Sequence, residues 1–352
     1  MVEFRIFDGD LQEVSNLIKA SWVEDYQGAY KQPVMDYSDI DFLEWNLKRP
    51  NADPDLFIGA YDGIKLVGFV AGFPFQTRYN DKVFKSVAGS FLTTHTDYKR
   101  KGIATSLGKA FLRASEKGYD IMTSVPDEGH AVEKRFEILS KEMNYGFLKL
   151  HRFTFMSKPL DRNKILELVD LSLFHKVGLY LLPKVKNTYK RRAYKYNPDK
   201  DVTFICQMLN ASYKANTLSV NWDEDTLSFQ LRNKLSNTMY MNRVDRKGLI
   251  NYYTIDLIGC RSTPITHKIT MVDNVCFDNM SYLEKHRFVS DFCSSQKKHG
   301  SCIINIPTLS AFDLTPFYLN RFLPSGRYHS HCIIDLHNKL SGNVHAGYLF
   351  VR

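Results

Sequence analysis

Apolar and polar positions alternate along the chain with two periods, and each change of period marks an element. Strand-like alternation opens the sequence in "VEFRIF". "DLQEVSNLIKASW" then sets Leu11, Val14, Leu17 and Ile18 on one helical face, with Asp10 as N-cap. "LFIGAYDG" and "KLVGFVAGFPF" predict two strands joined at the turn signal Asp62-Gly63. A further strand, "KSVAGSFLTT", leads into "DYKRKGIATSL" and a helix predicted from Ile103 to Lys117, stopped by Gly118. "DIMTSV" predicts a short strand closed by Pro126. A helix follows from Val132 to Met143, and "FLKLHRFTFMSK" alternates as a strand.

Residues 162–200 break this pattern. "KILELVDLSLFHKVGLYLLP" reads as one amphipathic stretch ending at Pro183, and "KVKNTYKRRAYKYNPDK" then carries seven Lys/Arg and one acid. Two readings stand here: a connecting helix with a solvated linker, or peripheral contact of 164–195 with an anionic membrane surface. Beyond it, "KITMVDNVCF", "SYLEKHRFVSDFCSSQKKHG", "SCIINIP", "AFDLTPFYLNRFL" and "RYHSHCIIDL" predict strand, helix, strand, helix, strand. That is the order of residues 86–157, so the second half reads as a diverged repeat of the first. The copies part at the first loop, where "DNMSYLEK" has neither the glycine nor the basic cluster. The expected fold class is α/β, with mixed sheets flanked by helices. The expected division is 1–160, a connecting helix and basic linker over 161–200, and a degenerate second domain over 201–352.

Composition narrows the function. A chain of 352 residues exceeds one core's worth of sequence at roughly 150 residues per domain. No run approaches the about 18 apolar residues of a spanning helix, and the N-terminus lacks a signal-peptide pattern, so a cytoplasmic location is expected. The six cysteines lie too far apart for a close-spaced metal motif or a dense disulfide framework. His329, His331 and Cys332 alternate across a strand with no nearby carboxylate, so no metal is expected. The net charge of +9 favours an anionic partner: nucleic acid, phospholipid or a phosphorylated cofactor. No recognised nucleic-acid motif accompanies that charge, so no specific nucleic-acid partner is expected.

The loop at 97–107 favours the phosphorylated cofactor. A helix start leaves backbone N–H groups without partners and carries the positive end of the helix dipole. Gly102 allows close approach of a ligand, Ala104 and Thr105 keep the turn small, and Lys99, Arg100 and Lys101 raise the local potential. Neither a Walker loop nor a G-x-G-x-x-G fingerprint is present. A solvated surface turn is the structural alternative.

A strand, then Lys99-Arg100-Lys101-Gly102-Ile103-Ala104, then a helix resembles the main cofactor motif of the GNAT superfamily of acyl-CoA N-acyltransferases. That motif is usually Gln/Arg-x-x-Gly-x-Gly/Ala; lysine takes the first place here, and Thr96 replaces a common proline. The resemblance covers about residues 1–158. With the diverged half included, the whole chain looks like a tandem protein of this superfamily, similar in architecture to N-myristoyltransferases or mycothiol synthases.

The resemblance implies acyl transfer from an acyl-CoA to a primary amine in a ternary complex, with acetyl-CoA as the default donor. Leu92, Thr93 and Thr94 would pair with the pantetheine arm, and the N–H groups from Arg100 through Ile103 to Thr105 would hold the pyrophosphate. One N–H near this strand end would stabilise the oxyanion. The tyrosine acid of many members falls at Ser140, with Tyr145 nearby. His95, Glu128 and His130 are candidate bases, as is a buried C-terminal carboxylate at Arg352. The acceptor would be a small-molecule or peptide amine. The alternative function is a non-catalytic CoA-binding sensor or scaffold.

Overall fold

The computed structural model describes residues 1–23, 32–185, 196–212, 217–243, 246–261, 265–341, 344–347 and 349. The first half runs β1 (Val2–Ile6), α1 (Leu11–Ile18), β2 (Val34–Met35), α2 (Ile40–Leu47), β3 (Phe57–Asp62), β4 (Lys65–Tyr79), β5 (Lys82–Thr94), α3 (Ile103–Glu116), β6 (Ile121–Ser124), α4 (Ala131–Glu142) and β7 (Gly146–Pro159). The second runs α5 (Arg162–Leu168), α6 (Leu173–Leu181), α7 (Pro198–Ser212), β8 (Thr217–Val220), α8 (Glu224–Arg232), β9 (Ser236–Asn242), β10 (Lys247–Ile258), β11 (Thr266–Asp278), α9 (Tyr282–Lys298), β12 (Ile303–Pro307), α10 (Thr315–Leu319), β13 (Leu323–Asp335) and β14 (His345–Ala346).

Each half is built on the same plan. An antiparallel pair (β4–β5, then β10–β11) is followed by a helix and a parallel third strand (β6, then β12). The turns suit their residues: Gly63 takes φ +62 between β3 and β4, and Asn80 and Asp81 take φ 48 and 61 between β4 and β5. The last strands then cross over. β13 lies between β6 and β7, while β7 lies between β13 and β12, giving one continuous path β1-β3-β4-β5-β6-β13-β7-β12-β11-β10-β2. Each half therefore completes its side of the sheet with a strand from the other.

Helix α3 shows how the sequence sets the packing. Ile103, Leu107 and Phe111 recur at helical spacing and are buried against the sheet, each no more than 3% exposed. Gly68 on β4 makes this close seat possible, because a Cβ there would stand 2.9 Å from both Ile103 Cγ2 and Leu107 Cδ1.

The stretch read as one amphipathic helix from 164 to Pro183 is two short helices. Asp161 caps α5 and Ser172 caps α6, while Val169 between them is extended. The reason is tertiary: the Leu168 carbonyl accepts from the Cys260 N–H, 2.9 Å away, so the backbone there serves the second half instead of a helix. Among the described residues no helix is long and apolar enough to cross a membrane.

The strand exchange makes a checkable demand. A fragment of residues 1–200 lacks β13 and leaves edges of β6 and β7 open. It is expected to give no cooperative unfolding transition by circular dichroism, where the full chain gives one. A fragment that melts cooperatively would show the halves to be separable.

Candidate donor site

The end of β5 departs from a regular strand. Thr93 pairs with Phe69 and Ser90 with Ala71, so two residues, Phe91 and Leu92, stand opposite one on β4. This is a β-bulge, and Phe91 takes φ +54 to make it. Pairing between β5 and β6 stops at Ala88 and Thr123, although β5 runs on to Thr94. A wedge thus opens between the two strands. The His95 N–H donates to the Val67 carbonyl at 2.9 Å. Alternation along the strand then turns the backbone groups of Thr94 and Leu92 away from β4, toward the wedge. The hydroxyls of Thr94 on β5 and Ser124 on β6 are buried without a protein hydrogen-bond partner, as expected of strands that border a ligand's place.

A π-helical turn, Lys19–Val23, extends α1 over the bulge. Ser21 Oγ lies 2.5 Å from Thr93 Oγ1, and the Trp22 ring stacks on Phe91 at 6.2 Å between centroids. Phe42 and Phe73 also pack on Phe91, so the bulge sits among aromatic rings. The resemblance implies a bulged strand over Phe91–Thr94, and a bulge is found at Phe91 and Leu92; Ser21 and Trp22 were not singled out in the sequence.

Beyond Thr94 the chain forms a short 3-10 turn and then the basic loop. Arg100 and Gly102 both take left-handed backbone, φ 62 and φ 80. Such residues in close succession turn backbone N–H groups to one side, a concavity suited to anions. Gly102 is the N-cap of α3 and supplies no side-chain cap; its carbonyl accepts from the Thr105 N–H at 3.0 Å. The donors left uncovered from within are those of Ile103 and Ala104, and the Thr105 N–H expected at the pyrophosphate is already engaged. A Cβ on Gly102 would meet no atom within 4 Å, which leaves the approach open. Lys99, Arg100 and Lys101 are exposed around it, and Lys101 Nζ stands 4.6 Å from the Tyr98 ring centroid. The Tyr98 hydroxyl donates to Asp62 at 2.7 Å and ties the loop to the β3–β4 turn. Ile103 anchors the helix in the core; Ala104 and Thr105 lie half-buried in the first turn. The residues present fit a CoA pyrophosphate here and a pantetheine arm in the wedge.

The second half repeats the scaffold but fills the anion position. β11 carries a bulge at Asp273, between Asn251–Asn274 and Tyr252–Val272. At the start of α9, however, Ser281 and Glu284 form a capping box, and Arg246 pairs with the same carboxylate. These bonds hold the Glu284 carboxyl below its ordinary range, the Ser281 hydroxyl first among them. The helix end that faces solvent in the first half is met here by the protein's own anion.

The other sequence-picked residues are not gathered at the wedge. Tyr145 donates to Glu116 at 2.7 Å, at the last turn of α3, and α3 is about 20 Å long. Burial and that bond push the Tyr145 hydroxyl far above its usual range. Ser140 is fully buried and its hydroxyl returns to the Phe136 carbonyl, a mid-helix back-bond. His95 lies at the mouth of the wedge, but its Nδ1 accepts from the Asp97 N–H to cap the 3-10 turn. That contact assigns the neutral ring's proton to Nε2. His130 caps α4 in the same manner, and Glu128 pairs with Arg152 at 3.5 Å. His329 meets Asp127 at 3.0 Å, and both His329 and His331 stack on Phe153. Among the described residues no group of three or more His, Cys, Asp and Glu is placed to hold a metal. Arg352 lies outside the described residues.

A bulged strand whose pairing with its parallel neighbour ends early, followed by a left-handed turn at a helix start, is a candidate site for a phosphorylated ligand. Residues 3–133 match the family model "Myristoyl-CoA:protein N-myristoyltransferase, N-terminal domain". A glycylpeptide N-tetradecanoyltransferase of Mycosarcoma maydis is 34% identical over 108 residues, which are 30% of this chain and 15% of that protein. The match to this curated relative thus spans well under two thirds of its length. Among solved structures, N-myristoyltransferase of Saccharomyces cerevisiae with bound myristoyl-CoA superposes with a TM-score of 0.75 at 16% identity, covering 99% of this chain and 89% of that one. A GCN5-related N-acetyltransferase of Anabaena variabilis gives 0.50 at 10% identity, over 96% and 73%. The chain therefore has the N-myristoyltransferase fold, a mixed α/β sheet in two GNAT-like halves, as the repeat in the sequence led one to expect.

Gly102 supports a direct test of the loop's geometry. Gly102→Ala has room for its methyl but must hold a left-handed backbone, which costs about 1–2 kcal/mol. Urea unfolding is expected to show that loss without a change in slope. An unaltered midpoint would mean that the turn relaxes.

Proposed function

We propose that this protein is an acyl-CoA-dependent N-acyltransferase that moves a long, tetradecanoyl-type acyl group to the N-terminal glycine amine of a peptide. The observation that carries the proposal is the wedge at β5. It joins outward-turned backbone groups at Leu92 and Thr94 to the left-handed turn at Gly102 that opens α3. The sequence alone favoured acetyl-CoA, on the strength of the superfamily's commonest donor. The family model and the Mycosarcoma maydis relative carry myristoyl and tetradecanoyl names, and they support a long-chain donor instead. The aromatic rings around Phe91 provide the apolar surroundings that such a chain requires at the thioester end.

In this reading the chain's residues act chiefly by positioning. N–H groups of the loop and the first turn of α3 hold the pyrophosphate, with Lys99, Arg100 and Lys101 adding attraction. The edge of β5 pairs with the pantetheine amides. Because the bulge sets two residues against one, it leaves N–H capacity at Phe91 and Leu92 to meet the oxyanion as the amine attacks the thioester carbonyl. The new bond is C–N; the bond broken is C–S, and the thiol leaves with CoA. The amine must lose a proton to complete the amide; this reading gives the relay to His95, whose Nδ1 must first release its contact with the Asp97 N–H.

The remaining alternative, a CoA-binding sensor, draws on the remoteness of Tyr145 and Ser140 from the wedge. Turnover separates the two. With a peptide bearing an N-terminal glycine, tetradecanoyl-CoA is expected to exceed acetyl-CoA in kcat/KM by at least about tenfold, since each buried methylene contributes about 0.8 kcal/mol. Product mass is the readout. The donor is also expected to raise the melting temperature, and Gly102→Glu to abolish that rise. A preference for acetyl-CoA would overturn the long-chain assignment. Donor binding without turnover on any amine would favour the sensor. An undiminished thermal shift in Gly102→Glu would remove the site itself.

A further inference from the structure

Outside the donor site, α6 differs from the other helices in the face it exposes. A surface helix ordinarily turns its apolar side inward. Here the arrangement is reversed. Leu173, Phe174, Val177, Tyr180 and Leu181 are 79, 82, 50, 56 and 78% exposed. At about 100° per residue they form a continuous stripe about 120° wide. Leu179, 7% exposed, projects from the opposite side and is the buried residue of the helix. The stripe therefore faces outward as a unit.

Its borders are cationic. Lys176 lies along one flank of the stripe and is exposed, as is Lys184 just past the helix. The Arg162 guanidinium stands 5.7 Å from the Tyr180 ring centroid. Of the nearby acids, Asp170 pairs with Arg261 at 3.0 Å, and Glu167 Oε2 lies 2.6 Å from His267 Nε2. In sequence the helix is followed by "KVKNTYKRRAYK", six Lys/Arg with no Asp or Glu, of which 186–195 lie outside the described residues.

We propose that the outward face of α6 docks on an anionic lipid surface, with the apolar stripe in the headgroup–acyl boundary and the flanking cations on the phosphates. An amphipathic segment with a basic border is the chemistry such a surface selects. A second copy of the chain fits less well. Nine residues of helix run only about 14 Å, short of the roughly 800 Å² per partner of a stable interface, and like charges on both borders would face each other. The proposal does not depend on the acyltransferase reading, and either can fail alone.

The test uses the full chain and co-sedimentation with phosphatidylcholine vesicles that contain or lack phosphatidylserine. Wild type is expected to pellet with the phosphatidylserine vesicles and to pellet less as salt rises. F174D/L181D is expected to lower the partition coefficient about a hundredfold, because two large apolar side chains no longer enter the boundary. K176Q is expected to lower it about fivefold. All three side chains are exposed, so the melting temperatures should match wild type. Equal partition of wild type and F174D/L181D, or no wild-type binding to either vesicle, overturns the proposal. So does a wild-type dimer in sedimentation velocity that F174D/L181D converts to monomer, since a second copy would then be the occupant.

Discussion

The structure depends on the reciprocal exchange of β7 and β13. By pairing with β13 along Ile121–Ser124, β6 gains a full partner on the side away from β5. It can then part from β5 after Ala88 without losing its place in the sheet. The wedge, the outward backbone of Leu92 and Thr94, and the approach to Gly102 all follow from that parting. A strand held only by β5 would have to stay alongside it. The exchange therefore joins the two halves and also permits the opening on which the proposed chemistry rests.

Much of this was legible in the chain. The period changes located β5, α3, β6, α4 and β7 nearly to their ends. The repeat located β11, α9 and β12 as closely, while α10 is much shorter than the stretch 311–323 read as its helix and β13 starts four residues before Arg327. Gly102 pointed to the loop because only a left-handed residue without a Cβ gives that turn at low cost. The elements not read were α2, β2, α7, β8, α8, β9, β10 and β14; of these α7 packs partly on β11, far along the chain, a contact that no local period records. The exchange was equally hidden. Alternation predicts that β7 and β13 are strands, but it cannot say which edge each will join.

The site was legible in part for the same reason. Its loop is local, so residues 99–105 carry their own signal. The bulge depends on register against β4, and no pattern within "SFLTT" reveals that Phe91 will take a positive φ. Tyr145 and Ser140 came from the resemblance alone, and neither is gathered at the wedge: Tyr145 reaches Glu116 in the last turn of α3, and Ser140 lies within α4 with its hydroxyl on the Phe136 carbonyl.

The capping box at Ser281 and Glu284 has a consequence for stoichiometry. Two halves of like fold behave as a dimer fused into one chain, and a dimer ordinarily offers two equivalent sites. In one half the helix end is left for a ligand's phosphate; in the other a resident carboxylate, steadied by Arg246, acts as a permanent competitor. The asymmetry is written into side chains and needs no conformational change to enforce it. Under the proposed function, one acyl donor per chain would follow from these side chains, with the second half keeping the bulged strand but not the open helix end.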